Sequence, residues 1–218
     1  MDGQQLRQIL EGMAPEPAIR AACQQMTDTV HRIGQLFSPD RGQKDNEDAM
    51  SGLLVAYIGL VPCIIKQLEQ IALNHRLENL LEPYVNVATR YLDSTCRELR
   101  QSGKITDQAG LLALLQGAYI FHRLIEELND RVSQFIGVPV TEHDLMTANL
   151  IVHEVIGDRF ANRLDQIIES MIEQSVITKS LVEAQLQQQQ LSGLKKQGHA
   201  LSGQPVDCLA ARFGFSLL

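Results

Sequence analysis

The chain has 218 residues, enough for one large domain with a real core; 44% of them are hydrophobic, only 5% are aromatic, and Trp is absent. That balance suits helix-on-helix packing by Leu, Ile and Ala. A net charge of -7 speaks against a general nucleic-acid binder, because phosphate contacts need clustered Lys and Arg, and it favours basic partners.

In chain order, residues 3–13 fit one short helix ended by Pro15 and Pro17. Ile19, Ala22, Met26, Val30, Ile33 and Phe37 then recur at three and four, which predicts one amphipathic helix over 18–37. The polar stretch 38–49, SPDRGQKDNEDA, reads as a loop, with the next helix starting near Asn46 to Asp48. The acidic run there lacks the spaced oxygens of a calcium loop and reads as a solvated helix entry. The most apolar run, residues 51–65, is shorter than a membrane span of about 20 residues and contains Pro62. It is expected to be a buried helix, kinked or divided at the proline. The pattern then resumes and stops at Pro83, and a further helix is expected over 84–101, with Gly103 ending it.

Two long helical stretches follow, residues 107–136 and 142–175, the first capped by Thr106 or Asp107 and the second opened by Thr141 to Asp144 in a variant of the capping box. Past Ile177 the apolar density falls. The division expected is a bundle domain over 1–177 and a Gln-rich helix end with a flexible tail over 178–218, docked on the body, on a second copy, or free. No stretch alternates with period two, so the fold class expected is all-α: a single bundle of about six to eight mostly antiparallel helices with no sheet.

The two long stretches carry the only chemical clue. On a helical wheel, Leu114, Phe121, Ile125, Leu128 and Val132 form one apolar sector, and His122, Glu126 and Asn129 run along its edge. His122 and Glu126 are four apart, close enough to touch. In the second stretch the apolar centre reads as Ile156, Phe160, Leu164, Ile167 and Met171, with Asn149 and His153 in the same sector. Two readings follow. In the first, these are core polar groups hydrogen-bonded across helices, the Asn residues pinning register. In the second, the seam is a site: a ligand pocket of His122, Glu126, Asn129, Asn149 and His153, or a metal centre drawn from His122, Glu126, His153, Glu154 and Asp158. The first ranks ahead. Neither a pair of Glu-x-x-His motifs nor HExxH is present, and neighbours such as His153 and Glu154 point in different directions on a helix.

Phosphate-binding glycine loops and a GxSxG elbow are absent, and no catalytic residue is nominated. The four Cys (Cys23, Cys63, Cys96, Cys208) form no CxxC pair and suit a reducing, cytoplasmic setting. An N-terminal helix-turn-helix is disfavoured, since that third is not basic and its helices flank a long loop. The function expected is non-catalytic: self-association, as a homodimer, or binding to another protein, with no nucleic acid, no membrane span and no cofactor. The alternative is a small-molecule or metal-binding bundle with its site between residues 107–136 and 142–175.

Overall fold

The computed structural model describes residues 15–102, 108–136, 138–174, 200–201, 204 and 206–216. Among them are eight helices: α1 (Pro15–Gln25), α2 (Thr27–Phe37), α3 (Gln43–His75), α4 (Glu78–Ser102), α5 (Gln108–Ile136), α6 (Met146–Ile156), α7 (Asp158–Gln174) and the short α8 (Leu209–Arg212). The molecule is all-α. The expectation of no sheet meets one small exception: β1 (His143–Asp144) and β2 (Asp207–Cys208) pair in parallel, His143 opposite Asp207 and Asp144 opposite Cys208. A two-residue strand leaves no alternation to read, so only the tertiary approach of the chain end creates it.

Helix α3 is the axis of the bundle. It packs against α1, α2, α4, α5, α6 and α8. Met50, Leu53, Leu54, Tyr57, Ile58, Val61, Ile64 and Leu68 along it are all buried. Because neighbours surround it, its apolar residues are not confined to one stripe. Pro62 sits inside this helix and does not end it. A proline forfeits one backbone bond, a loss on the order of 3 kcal/mol in an exposed helix, and here the burial of Ile58, Val61, Ile64 and Ile65 around it outweighs the loss. α3 is the one described helix long and apolar enough to cross a membrane; its best 18-residue window has a mean hydropathy of 1.8, and half of that window is buried within the protein.

Helix ends depart from the sequence reading in five places. α3 begins at Gln43, inside the stretch read as a loop to residue 49. The 18–37 segment is two helices, broken at Met26 (φ -105, ψ 23). Its stripe survives the break, since Ile19, Met26, Val30 and Ile33 remain buried. α3 ends at His75 because Arg76 adopts the left-handed conformation (φ 54), and α4 begins at Glu78, so Pro83 lies inside a helix rather than between two. Thr141 does not cap α6: it is fully buried, and Asp144 instead accepts from the Met146 backbone N–H at 3.1 Å. The 142–175 stretch is not one helix. Gly157 takes φ 89, ψ 137, which an L side chain rarely adopts, and divides it into α6 and α7.

That last break resets the helical phase. The buried face of α7 is Ala161, Leu164 and Ile168, while Phe160 is 55% and Ile167 43% exposed. The sector read as the apolar centre is therefore right at Ile156 and Leu164 and displaced at Phe160 and Ile167. Residues 206–216 lie on the body: Leu209, Ala210 and Phe215 are buried in the common core. Arg41 donates to the Phe213 carbonyl at 2.6 Å, with its guanidinium 5.6 Å from the Phe215 ring centre. The proposed boundary at 177/178, the helix over 3–13 and the capping positions Thr106 and Asp107 lie outside the described residues.

Candidate functional site

The polar residues of α5, α6 and α7 form a line running from the core outward. His122 is at its closed end, wholly buried. Its Nε2 lies 2.8 Å from the backbone carbonyl of Tyr57, so Nε2 carries the proton and donates. The ring meets the Tyr57 ring edge to face, 4.3 Å between centres. Nδ1 has no hydrogen-bond partner. Burial therefore holds the imidazole at about 4, against an ordinary 6.5, because a second proton would have no acceptor; the Tyr57 carbonyl opposes this shift only in part.

From Tyr57 the line continues through side chains. The Tyr57 hydroxyl donates to Asn149 Oδ1 at 2.6 Å, and Asn149 Nδ2 donates to Glu126 Oε2 at 3.0 Å. Arg123 pairs with Glu126, and its Nε lies 3.7 Å from Asp165 Oδ1. Tyr119 donates to that same Asp165 oxygen at 2.9 Å. His153 closes the series, with Nε2 4.0 Å from Asp165 Oδ2 and Nδ1 3.6 Å from Asp158 Oδ1. Four helices contribute: α3, α5, α6 and α7. Burial raises the Tyr57 and Tyr119 hydroxyls above their ordinary range, for Tyr119 with Asp165 adding to it, so both stay protonated and act as donors.

The expected constellation is therefore divided three ways. Asn149 and Glu126 do meet, as neighbours in the line. His122 and Glu126 do not bond each other despite their spacing; one turns to α3 and the other to Asn149 and Arg123. Asn129 belongs to the loop after α5: its Oδ1 accepts from the backbone N–H groups of Val140 and Thr141, each at 3.0 Å, and its Nδ2 donates to Thr141 Oγ1 at 3.0 Å. It closes the turn that returns the chain toward α6.

Of the five metal candidates, His153, Glu154 and Asp158 come together, each offering a donor atom within 4.8 Å of the others; His122 and Glu126 are not in this group. No ion can reach both sets, since His122 faces the sealed core. The break at Gly157 makes the cluster possible by letting Asp158 start a new helix beside the end of α6. The trio sits at the surface, where the Asp158 side chain is 75% exposed and that of His153 21%.

A small cavity flanks the line. About 150 Å³ lies at its flank, bounded by Glu126, Asn129, Thr141, His143, Met146 and Val206. That is below the roughly 300 Å³ at which pockets for small organic ligands begin. Sequence reasoning missed Tyr57, Arg123 and Asp165, which complete the line. Tyr57 is far away in sequence, and Arg123 and Asp165 look like ordinary outer charges on their own helices. Tyr119 takes its meaning only from its partner Asp165 on α7.

No protein-family model matches the chain, and no curated protein or solved structure matches it either.

Proposed function

We propose that this protein performs no chemistry of its own and acts as a helical interaction module, with the outer face of α7 as its contact surface. The observation that carries this reading is the uncovered apolar stripe of α7. Phe160 is 55% and Ile167 43% exposed, and Met171 is only partly buried. They recur at seven and four residues, so they share one side of the helix, while Ala161, Leu164 and Ile168 serve the core from the adjoining side. Contiguous exposed apolar residues are a common feature of surfaces where another protein binds. The interior supports the same view. The line from Tyr57 to Asp165 has a partner at each step, as a structural polar core requires, and the cavity of about 150 Å³ at its flank is too small for most organic substrates.

On this reading the partner is a protein, and neither nucleic acid nor a membrane is engaged; α3 is the core helix of the bundle. The free thiols of Cys23, Cys63, Cys96 and Cys208 suit a reducing, cytoplasmic compartment. The test replaces Phe160 and Ile167 together by Asp. The expected result is stability within about 0.5 kcal/mol of wild type, as for exposed positions, together with loss of association. A loss of several kcal/mol would show the stripe to be internal packing and would end the proposal.

A second reading has its own observation. His153, Glu154 and Asp158 gather three donor atoms within 4.8 Å, and Asp165 stands 4.0 Å from the other ring nitrogen of His153. A carboxylate behind a histidine orients it for a divalent cation such as zinc. Elemental analysis and zinc titration test it. A bound equivalent that His153→Ala abolishes is expected, and less than about a tenth of an equivalent overturns it.

A further inference from the structure

A second apolar surface lies between α3 and α4. There the helices leave a groove of about 630 Å³ floored by Leu81 and Val85 and walled by Glu69, Glu78 and Glu82, with Leu73 on its lip at 66% exposure. The outer face of α7 has the converse character. Arg159 and Arg163 are exposed beside Phe160 and Ile167. None of these five charged side chains has an ion-pair partner among the described residues.

Resting on the interaction reading of α7, we propose that the partner is a second copy of this chain, joined head to tail: α7 of one copy fills the α3–α4 groove of the next. Three features carry this. The apolar parts are a ridge and a trough, so they fit each other, whereas two α7 ridges do not interlock in this way. The charges are opposite and equally spaced: Arg159 and Arg163 are four residues apart on one helix, Glu78 and Glu82 four apart on another. At 1.5 Å per residue both pairs span about 6 Å along their helix axes, so two ion pairs form at once in either helix direction. Finally, a chain of net charge -7 repels its own kind at a distance, and only a basic spot facing an acidic one reverses that locally. Because the two surfaces differ, one such contact leaves a free α7 and a free groove: it propagates to a closed ring or an open filament, or closes as a reciprocal pair where both contacts form between the same two copies.

The experiment is a charge exchange on the full chain, read by sedimentation velocity from micromolar to near-millimolar concentration. One variant carries Arg159→Glu and Arg163→Glu, the other Glu78→Arg and Glu82→Arg. All four positions lie outside the buried core, and circular dichroism melts verify that each variant folds. Wild type is expected to assemble as concentration rises, and each variant alone to remain monomeric. Mixed in equal amounts, they are expected to recover assembly, because each helix then meets a groove of opposite charge. Assembly of the groove variant at wild-type strength overturns the proposal in favour of symmetric α7 pairing. Failure of the mixture to recover also overturns it, as does a wild-type monomer at every concentration. The Phe160→Asp/Ile167→Asp variant separates the two levels. If it keeps full stability while wild type is monomeric, the head-to-tail assignment fails and the contact surface stands for a different protein; if it loses stability, both fail.

Discussion

The sharpest consequence of the interior is an acid-sensitive stability centred on His122. Its folded-state value of about 4 lies below the ordinary 6.5, so the unfolded chain takes up the proton first. Above the ordinary value neither state is charged there and the stability is whole. As the pH falls from 6.5 toward 4 the unfolded state is favoured progressively, and below 4 the loss levels off because the folded state is protonated too. The interval is 6.5 minus 4, or 2.5 pH units, which at 1.36 kcal/mol per unit makes about 3 kcal/mol. The assay is urea unfolding at steps of pH across that window, for wild type and His122→Leu. Leucine fills a similar space without titrating, and the Tyr57 carbonyl loses only a contact additional to the helix. His143, lowered chiefly by burial with Glu142 opposing, acts with the same sign; Asp130, raised chiefly by burial, acts against it. Both remain in each protein, so the difference between the curves isolates His122. Wild type is expected to lose about 3 kcal/mol more than the variant over the window. Parallel curves would refute the claim that Nδ1 is buried without an acceptor.

Three further outcomes follow from the packing. Tyr57→Phe removes the 2.6 Å donor to Asn149 Oδ1 and is expected to lower stability by about 1–2 kcal/mol in denaturant melts; an unchanged midpoint would mean that Asn149 finds another donor. Gly117→Ala is expected to destabilise although alanine is the better helix former. Its Cβ would stand 2.7 Å from Leu92 Cδ1 and 3.1 Å from the Leu92 Cα, so backbone must move where α4 and α5 touch, and about 1–3 kcal/mol of overpacking exceeds the roughly 1 kcal/mol gained in propensity. Phe215→Ala, at a residue 1% exposed, is expected to cost about 3 kcal/mol and to raise hydrogen exchange over 206–216; wild-type stability would refute the docking of that segment.

Much of the interior was legible residue by residue. Leu114, Phe121, Ile125, Leu128 and Val132 are buried as their spacing indicates, and His122 with them. Asn149 is buried as well, and its amide does join helices. The purpose of these polar groups was not legible. His122 turns to a carbonyl of α3 rather than to Glu126, and Asn129 closes a turn rather than lining a pocket.

The amino-acid pattern by itself determined that the chain is helical and which side of most helices is buried, because a period of 3.6 residues and the avoidance of water act within one segment. It also marked the polar residues that burial obliges to find partners. Only the tertiary structure decided where helices stop and who those partners are. Pro62 remains helical because surrounding packing outweighs one lost bond, Pro83 lies within α4, and Gly157 breaks a continuous apolar pattern because its φ of 89 suits the corner. The Tyr57 to Asn149 bond spans 92 residues, and the uncovered stripe of α7 exists only relative to the helices that cover its other side. Such facts depend on which segments meet, a property of the whole chain's packing that no local window contains.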